Sequence, residues 1–189
     1  MTRIIAGDLR GRNIKVPDSG TRPTSDRVRE AIFSTLTSLD AIADLNVLDL
    51  YSGSGALGIE ALSRGAKSCV FVDNNRNASS IIEKNLQDLN IEAHVLEVKV
   101  ESLLNKVPSS KLISPFQLVF LDPPYEYSLQ EISKVLNLGL SNSWFSQDAI
   151  LVIETGKGIK EFIWPEGFES VREKSYGDTS VWYGQVCKK

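Results

Sequence analysis

Apolar and polar residues follow two different patterns along this 189-residue chain. Short, almost continuously apolar runs are typical of strands buried on both faces, and between them apolar residues recur every three or four positions, as on one face of a helix. The predicted strands are 46–50, 68–72, 93–98, 116–121 and 149–154, and the predicted helices are 56–64, 76–89 and 129–140. Strands that alternate with helices predict an α/β fold with a parallel sheet covered on both faces.

The N-terminal part of the chain has a different pattern. Apolar and polar residues alternate from 3 to 16 around Gly7-Asp8-Leu9-Arg10-Gly11, which predicts a small hairpin with a basic tip. From 25 to 39 the apolar residues return to helical spacing, and a hydroxyl residue at 24 or 25 is a suitable N-cap. We therefore expect a basic hairpin and a helix within 1–40.

The C-terminal pattern predicts that the sheet closes with an antiparallel hairpin. Two runs of strand-forming residues, 169–174 and 180–186, flank the turn signal Tyr176-Gly177-Asp178. No repeat or linker divides the chain, so we expect a single domain over 1–189 with its core in 41–189.

Composition narrows the class of protein. With 42% hydrophobic and 24% charged residues, the chain has the make-up of an ordinary globular domain. Its apolar runs are too short for a membrane span, and its first residues lack the apolar segment of a signal peptide, so a cytoplasmic location is expected. Cys69, Cys187 and the single histidine, His94, are too scattered for a disulfide framework or a metal site.

The net charge of −3 conceals an asymmetry. Residues 1–30 hold seven basic and four acidic side chains, a local net charge of +3, so the rest of the chain carries −6. Phosphate binding depends on clustered lysine and arginine, and a basic segment on an acidic body can direct one face toward a polyanion. The alternative is a solvated surface on which the arginines pair locally.

A glycine loop follows the first predicted core strand. The sequence from Val47 to Gly58 reads VLDLYSGSGALG, an apolar run that breaks into G-x-G-x-x-G. In open α/β sheets a ligand lies beyond the carboxyl ends of the strands, and Gly53 and Gly55 allow it to approach the backbone. Asp73 ends the next strand and can accept hydrogen bonds from a ribose diol. An adenosine-containing ligand is therefore expected, which leaves NAD, FAD and S-adenosylmethionine open.

The surroundings of this loop disfavour NAD. Asp49 lies four residues before Gly53 and is followed by Tyr51 and Ser52. A carboxylate there would repel a pyrophosphate but would suit the ammonium group of a methionine moiety, directly or through a water. The chain also leaves little length for a separate substrate domain.

A second polar motif, Leu121-Asp122-Pro123-Pro124-Tyr125, directly follows a predicted strand. The two prolines fix an extended, stiff exit from the strand. The Asp122 carboxylate and a nearby carbonyl, for which we favour Pro123, can both accept hydrogen bonds from one planar NH₂ group, and Tyr125 offers a face on which a base can stack. This arrangement suits attack by an amine lone pair on a methyl sulfonium.

Six motifs spread over nearly the whole chain carry a resemblance to a known family. They are RIIAG at 3–7, RGR at 10–12, TRPTSDRVREAIF at 21–33, VLDLYSGSGALGIEALSRGA at 47–66, LDPPY at 121–125 and YGDT at 176–179. The set resembles the RsmD-type 16S rRNA guanine-N2 methyltransferases of bacteria. The resemblance implies a Rossmann-like class I fold with a seven-stranded sheet, transfer of a methyl group from S-adenosylmethionine to the exocyclic N2 of a guanine in the small ribosomal subunit, and a monomer.

The resemblance also implies roles for individual residues. The expected cofactor-binding residues are Asp49, Tyr51, Ser52, Gly53, Ser54, Gly55, Asp73, Asn74 and Glu101. The expected RNA-binding residues are Arg3, Arg10, Arg12, Arg22, Arg27 and Arg29. The expected catalytic residues are Asp122, Pro123 and Tyr125. After the third core strand the chain reads Val98-Lys99-Val100-Glu101, where related folds often have a residue that reads the adenine amino group, so backbone or Glu101 is expected to do so here.

Three other functions remain compatible with parts of the pattern. An N6-adenine methyltransferase acting on DNA or RNA is the main alternative, because the Asp-Pro-Pro-Tyr motif reads an amine and does not specify which base carries it. A noncatalytic RNA-binding protein would have no need of Asp122 or the glycine loop. An NAD-dependent oxidoreductase conflicts with the position of Asp49.

Overall fold

The computed structural model describes residues 1–17, 25–124, 126–156 and 158–188. The strands are β1 Thr2–Arg3, β2 Asn13–Ile14, β3 Asn46–Leu50, β4 Ser68–Asp73, β5 His94–Glu97, β6 Phe116–Leu121, β7 Phe145–Gly156, β8 Phe168–Tyr176 and β9 Thr179–Val186. The helices are α1 Asp26–Ser38, α2 Ala56–Ser63, α3 Arg76–Leu89, α4 Val100–Leu104 and α5 Leu129–Ser141.

Seven strands form one sheet in the order β5-β4-β3-β6-β7-β9-β8. The strands from β3 to β7 are parallel, and β9 lies antiparallel between β7 and β8. This confirms the predicted α/β fold with its mostly parallel sheet and antiparallel hairpin. The chain runs outward from β3 to β5 and then returns to the other side of β3, so the strand order reverses between β3 and β6. Ligands of open α/β sheets bind at such a reversal, beyond the carboxyl ends of the strands.

Helices cover both faces of the sheet. Successive strand residues point to opposite faces, so Val47 packs in a core that contains residues of α1, α2 and α3, whereas Leu48 packs with α4 and α5. Because both faces are covered, all five residues of β3 are buried. The helix α1 belongs to this core as well, since Phe33 contacts Phe120 with ring centroids 5.8 Å apart.

The N-terminal hairpin of β1 and β2 is docked on the end of α2. Asp8 and Leu9 donate their backbone N–H groups to the carbonyl and hydroxyl oxygens of Ser63, at 2.8 and 3.0 Å. The same hydroxyl donates to the carbonyl of Ala6 at 2.6 Å. Gly7, with φ of +82°, lies so close that a Cβ atom on it would be 1.7 Å from the Ser63 carbonyl oxygen. The predicted hairpin is thus present, and it packs tightly on the core.

Two elements differ from the sequence-based prediction. The short helix α4 was not predicted, because its five residues are too few to show helical periodicity. Strand β7 begins at Phe145, four residues before the predicted start, and its added residues include the polar Ser146, Gln147 and Asp148. Within the described ranges, no helix has the length and apolar character required to cross a bilayer.

Candidate active site

The glycine loop leads from the carboxyl end of β3 into α2 and is hydrogen-bonded to the carboxyl end of β4. The Ser52 hydroxyl donates to the Asp49 carbonyl at 2.6 Å and accepts from the Val72 N–H at 2.9 Å. Gly55 donates its N–H to the Ser52 carbonyl at 2.7 Å. Tyr51 holds a left-handed backbone conformation, with φ of 61°, which is uncommon outside glycine and strained. The loop is therefore held in one shape by its own hydrogen bonds.

The three glycines of the loop have different surroundings. A Cβ atom on Gly53 would meet nothing within 4 Å, so backbone here borders open space that a ligand could enter. A Cβ on Gly55 would lie 3.3 Å from both Ile82 and Phe71, and one on Gly58 would lie 2.4 Å from Phe71. The φ of +77° and the packing toward the core are a structural reason for glycine at position 55, and its contact with the ligand stays a prediction.

Asp49 lies beneath the loop and is only 1% exposed. Its Oδ2 atom accepts the N–H of Gly58 at 3.0 Å, which ties β3 to α2. Burial raises the pKa of the Asp49 carboxyl to about 8; the Gly58 hydrogen bond lowers this pKa, and the charge of Asp73 raises it. Asp49 therefore supports the loop from below, and a ligand on the open side would reach it only through a water or a loop movement.

Asp73 ends β4 at the same edge of the sheet. Its Oδ2 accepts the N–H of Gly53 at 2.8 Å, and its Oδ1 accepts the N–H of Asn75 at 2.8 Å. A carboxylate has about four lone-pair positions, so both oxygens can accept further hydrogen bonds. The half-buried Asp73 and the exposed Asn74 flank the open space beside Gly53. Asp73, the expected ribose-binding residue, thus lies beside the open space at Gly53.

Asp122 follows β6, next to the glycine loop across the strand reversal. Its backbone N–H points to the Leu50 carbonyl, with the nitrogen and oxygen 3.5 Å apart. Pro123 is buried and Pro124 exposed, and the Pro124 carbonyl accepts the N–H of Tyr127 at 2.9 Å. The Pro124 carbonyl is thus engaged within this turn, and the role of the Pro123 carbonyl as an acceptor stays a prediction. Tyr125 lies outside the described residues.

A cavity of about 360 Å³ lies beside the glycine loop, between Tyr51, Asn74 after β4, and residues of α4 and α5. Its lining residues are Tyr51, Asn74, Lys99, Val100, Glu101, Tyr127, Glu131 and Lys134. Binding sites for small molecules typically have volumes of this order. A larger groove of about 640 Å³ lies between α5 and residues 163–165, but it contains none of the expected site residues. We therefore assign the ligand site to the smaller cavity.

Arg29 does not have the exposure that was expected of an RNA-binding residue. It is 0% exposed, and its Nη2 atom donates to Thr2 Oγ1 at 3.1 Å, to the Arg3 carbonyl at 2.5 Å and to Asp26 Oδ1 at 3.1 Å. The expectation for Arg29 is wrong because the guanidinium fastens β1 to α1 in the interior, where no phosphate can reach it.

Glu60, at 0% exposed, is the acidic centre of this interior network. It accepts the backbone N–H groups of Ile5 and Ala6 at 2.8 and 3.0 Å, and the Arg64 side chain at 2.7 Å. Its Oε2 also lies 3.9 Å from Arg29 Nε. Sequence reasoning did not single out Glu60, although a lone charge within the apolar stretch of α2 was a usable signal.

The other described arginines of the N-terminal part remain exposed. Arg3, Arg10 and Arg27 line a shallow depression of about 380 Å³, together with the acidic Asp26 and Glu30. Arg12 is exposed too, and it donates to the Asp88 carbonyl at 2.9 Å. Arg22 lies outside the described residues. The expected basic surface is therefore formed by arginines from both the hairpin and α1.

Asn85 was not predicted as a site residue, yet it links the N-terminal segment to the glycine loop. Its buried amide donates to the carbonyls of Lys15 and Ser54, at 2.9 and 3.2 Å, and accepts the N–H of Lys15 at 2.9 Å. The only sequence signal for it was a polar residue on the apolar face of α3, next to Ile82 and Leu86. Over the described ranges, no group of three or more histidine, cysteine or acidic residues is arranged to hold a metal ion.

The strand order, the glycine loop after β3, the carboxylate after β4 and Asp-Pro-Pro after β6 define a class I methyltransferase. The family described as "Conserved hypothetical protein 95" matches residues 2–185. The chain belongs to this family, which is the RsmD family, and the predicted resemblance is confirmed.

Individual relatives agree with this placement. The chain is 38% identical over 179 residues to ribosomal RNA small subunit methyltransferase D of Haemophilus influenzae, covering 94% of this chain and 90% of that protein. It is 40% identical over 155 residues to the Escherichia coli protein of the same name, covering 81% and 74%. The solved structure of Escherichia coli yhhF superposes with a TM-score of 0.86 at 33% identity, covering 99% and 98% of the two chains.

Proposed function

We propose that this protein transfers a methyl group from S-adenosylmethionine to the exocyclic N2 of a guanine in 16S rRNA of the small ribosomal subunit. The observation that carries the proposal is the position of Asp122 beside the glycine loop, at the strand reversal between β3 and β6. One edge of the sheet thus carries groups that can bind a nucleoside cofactor and groups that can bind the amine that receives the methyl group. The rRNA substrate is supported by the names of the relatives.

The residues on the cofactor side suit S-adenosylmethionine. Gly53 leaves open space beside its backbone, and Asp73 can accept the hydroxyl groups of a ribose. The cavity of about 360 Å³ has room for a nucleoside. S-adenosylmethionine bound there would supply an electrophilic methyl group on a sulfonium.

On the acceptor side, Asp122 and Pro123 hold the amine. The Asp122 carboxylate and the Pro123 carbonyl accept the two hydrogens of the guanine NH₂ group, which turns its nitrogen lone pair toward the methyl group. As the new N–C bond forms, the bond between the methyl group and the sulfonium sulfur would break, and S-adenosylhomocysteine, a neutral thioether, would leave. Positive charge develops on the nitrogen, and the Asp122 carboxylate stabilises it and accepts the proton that leaves. Tyr125 stacks on the base in this proposal.

The exposed arginines supply the RNA contact. Arg3, Arg10 and Arg27 present guanidinium groups in one depression, where they can bind phosphates without reading base sequence. Arg12 is also accessible from solvent. Binding of the N-terminal surface to the RNA backbone would leave the catalytic edge of the sheet to bind the target base.

The test is an assay with labelled methyl donor on purified small-subunit particles and on naked 16S rRNA, followed by nucleoside analysis. We expect labelled N2-methylguanosine from the wild-type protein. Asp122→Ala should lose at least about 100-fold in rate, while its affinity for S-adenosylmethionine stays within a few fold, because Asp122 contacts the amine. Glu83→Ala, on the exposed face of α3, is the matched control and should retain full activity. Labelled N6-methyladenosine would instead identify an adenine methyltransferase.

A further inference from the structure

Two tyrosines share one carboxylate oxygen inside the cavity. Tyr51 and Tyr127 both donate their hydroxyl groups to Oε1 of Glu101, at 3.3 and 3.0 Å. Their rings meet edge to face, with centroids 5.5 Å apart and an angle of 75° between the planes. We call these three residues the tyrosine clasp. Ring packing and two charge-assisted hydrogen bonds to one acceptor give it a defined geometry.

The clasp joins three segments that are distant in sequence. Tyr51 belongs to the glycine loop, and Glu101 lies in the first turn of α4. Tyr127 follows the Asp-Pro-Pro motif, and its backbone N–H is bonded to the Pro124 carbonyl. The segment that carries Asp122 is therefore fixed at one end by β6 and at the other end by the clasp.

Both phenols remain hydrogen-bond donors at neutral pH. Burial raises the pKa of the Tyr51 hydroxyl well above its usual range, and the Glu101 carboxylate adds to this effect. Burial and the hydrogen bond to Glu101 also raise the pKa of the Tyr127 hydroxyl. Two donors already occupy Oε1 of Glu101, so this oxygen is committed to the protein and is not open to the adenine amino group, as had been expected of Glu101.

We propose that Tyr127, acting through Glu101 and Tyr51, is a positioning residue that holds the Asp122 segment against the glycine loop. This inference rests on the proposed methyl transfer, because it assigns Asp122 to the acceptor amine. The rate of methyl transfer is sensitive to displacements of about 1 Å between the reacting groups. If Tyr127 no longer holds the segment, the rate should fall even though every group that contacts a substrate is still present.

The test compares single-atom and larger changes in the clasp. Tyr127→Phe removes one hydroxyl and keeps the ring, so we expect kcat to fall about 10-fold while KM for S-adenosylmethionine changes less than about twofold. Glu101→Gln keeps an acceptor oxygen and should lose less than Glu101→Ala. Tyr176→Phe, at the end of β8 and not among the residues that line the cavity, is the matched control and should leave both constants unchanged.

A double variant separates the clasp from independent effects. If Tyr127 acts through Glu101, adding Tyr127→Phe to Glu101→Ala should lower kcat by less than about twofold further. Multiplicative losses in the double variant would overturn the inference. The inference would also be overturned if Tyr127→Phe lowered the affinity for S-adenosylmethionine about 10-fold and left kcat unchanged. That result would mean that the Tyr127 hydroxyl contacts the cofactor.

A measurement on the protein alone keeps this inference separate from the proposed function. Amide hydrogen exchange over residues 122–128 should accelerate at least about fivefold in Tyr127→Phe and stay at the wild-type rate in Tyr176→Phe. If the wild-type protein methylates no rRNA, the proposed function fails. In that case the positioning role of Tyr127 is still tested, because unchanged amide exchange in Tyr127→Phe would overturn it. If the wild-type protein is active but neither exchange nor kcat responds to Tyr127→Phe, only the clasp fails.

Discussion

Gly7 and Gly11 allow a direct test of how firmly the N-terminal hairpin is docked. Their backbone angles are nearly the same, with φ of +82° and +83°. A Cβ atom on Gly7 would be 1.7 Å from the Ser63 carbonyl oxygen, whereas one on Gly11 would meet nothing within 4 Å. Alanine at either position therefore incurs the same left-handed strain, and only Gly7→Ala must also move the hairpin away from α2.

The size of the difference follows from the contacts that would be lost. The shared strain costs roughly 1 to 2 kcal/mol in each variant. Moving the hairpin off α2 breaks three hydrogen bonds to Ser63, which contribute about 0.5 to 1.5 kcal/mol each. Gly7→Ala should therefore lower the free energy of unfolding by about 2 to 4 kcal/mol more than Gly11→Ala does.

Urea denaturation followed by circular dichroism measures this difference. Both variants and the wild-type protein would be compared at one pH and one temperature, with a common slope of free energy against urea. If the two variants agree within about 0.5 kcal/mol, the hairpin is not held by Ser63, and the reasoning from the Gly7 contact is refuted.

Glu60→Ala should lower the free energy of unfolding by about 3 to 5 kcal/mol, because Arg64 and two backbone N–H groups lose a buried acceptor and the buried Arg29 loses a nearby opposite charge. Glu83→Ala should change this free energy by less than about 0.5 kcal/mol, and equal losses in urea titrations would contradict the prediction. The wild-type protein should lose stability as the pH rises from about 4 to 8, since folded Asp49 keeps a proton that the unfolded chain releases near pH 4. Asp49→Asn, measured in the same way, should reduce the dependence of the free energy of unfolding on pH. An unaltered dependence would refute its assignment to Asp49. Replacing Arg10 and Arg27 by glutamine should reduce the slope of log binding constant against log salt by about one to two, and an unchanged slope would show that neither contacts phosphate.

The elements of the core could be predicted because their signals are local. Strands β3 and β6 and helix α3 begin and end at the predicted residues, since apolar periodicity and flanking polar residues mark their limits. The edge of the sheet that holds the site also followed from local signals, because Gly53, Asp73 and Asp122 each lie at or just beyond the carboxyl end of a strand. Their proximity is a consequence of the parallel topology.

The features that could not be predicted depend on partners distant in sequence. Arg29 has the pattern of a surface charge, and its interior position depends on the folded hairpin, which supplies the Arg3 carbonyl, and on Glu60 of α2. The packing of Gly55 toward Ile82 and Phe71 could not be predicted either, because these side chains belong to α3 and β4. Tyr127 gave no signal at all, because its role depends on where Glu101 lies.

The docking of the N-terminal segment also sets an order of events during synthesis. Lys15 bonds to Asn85, and Arg12 bonds to the Asp88 carbonyl, across separations of 70 and 76 residues. At a translation rate of roughly 5 to 20 residues per second, about 4 to 15 s pass between the synthesis of the basic segment and the synthesis of these partners. During that interval Arg12 and Lys15 are without the partners that hold the segment on α3 in the folded protein.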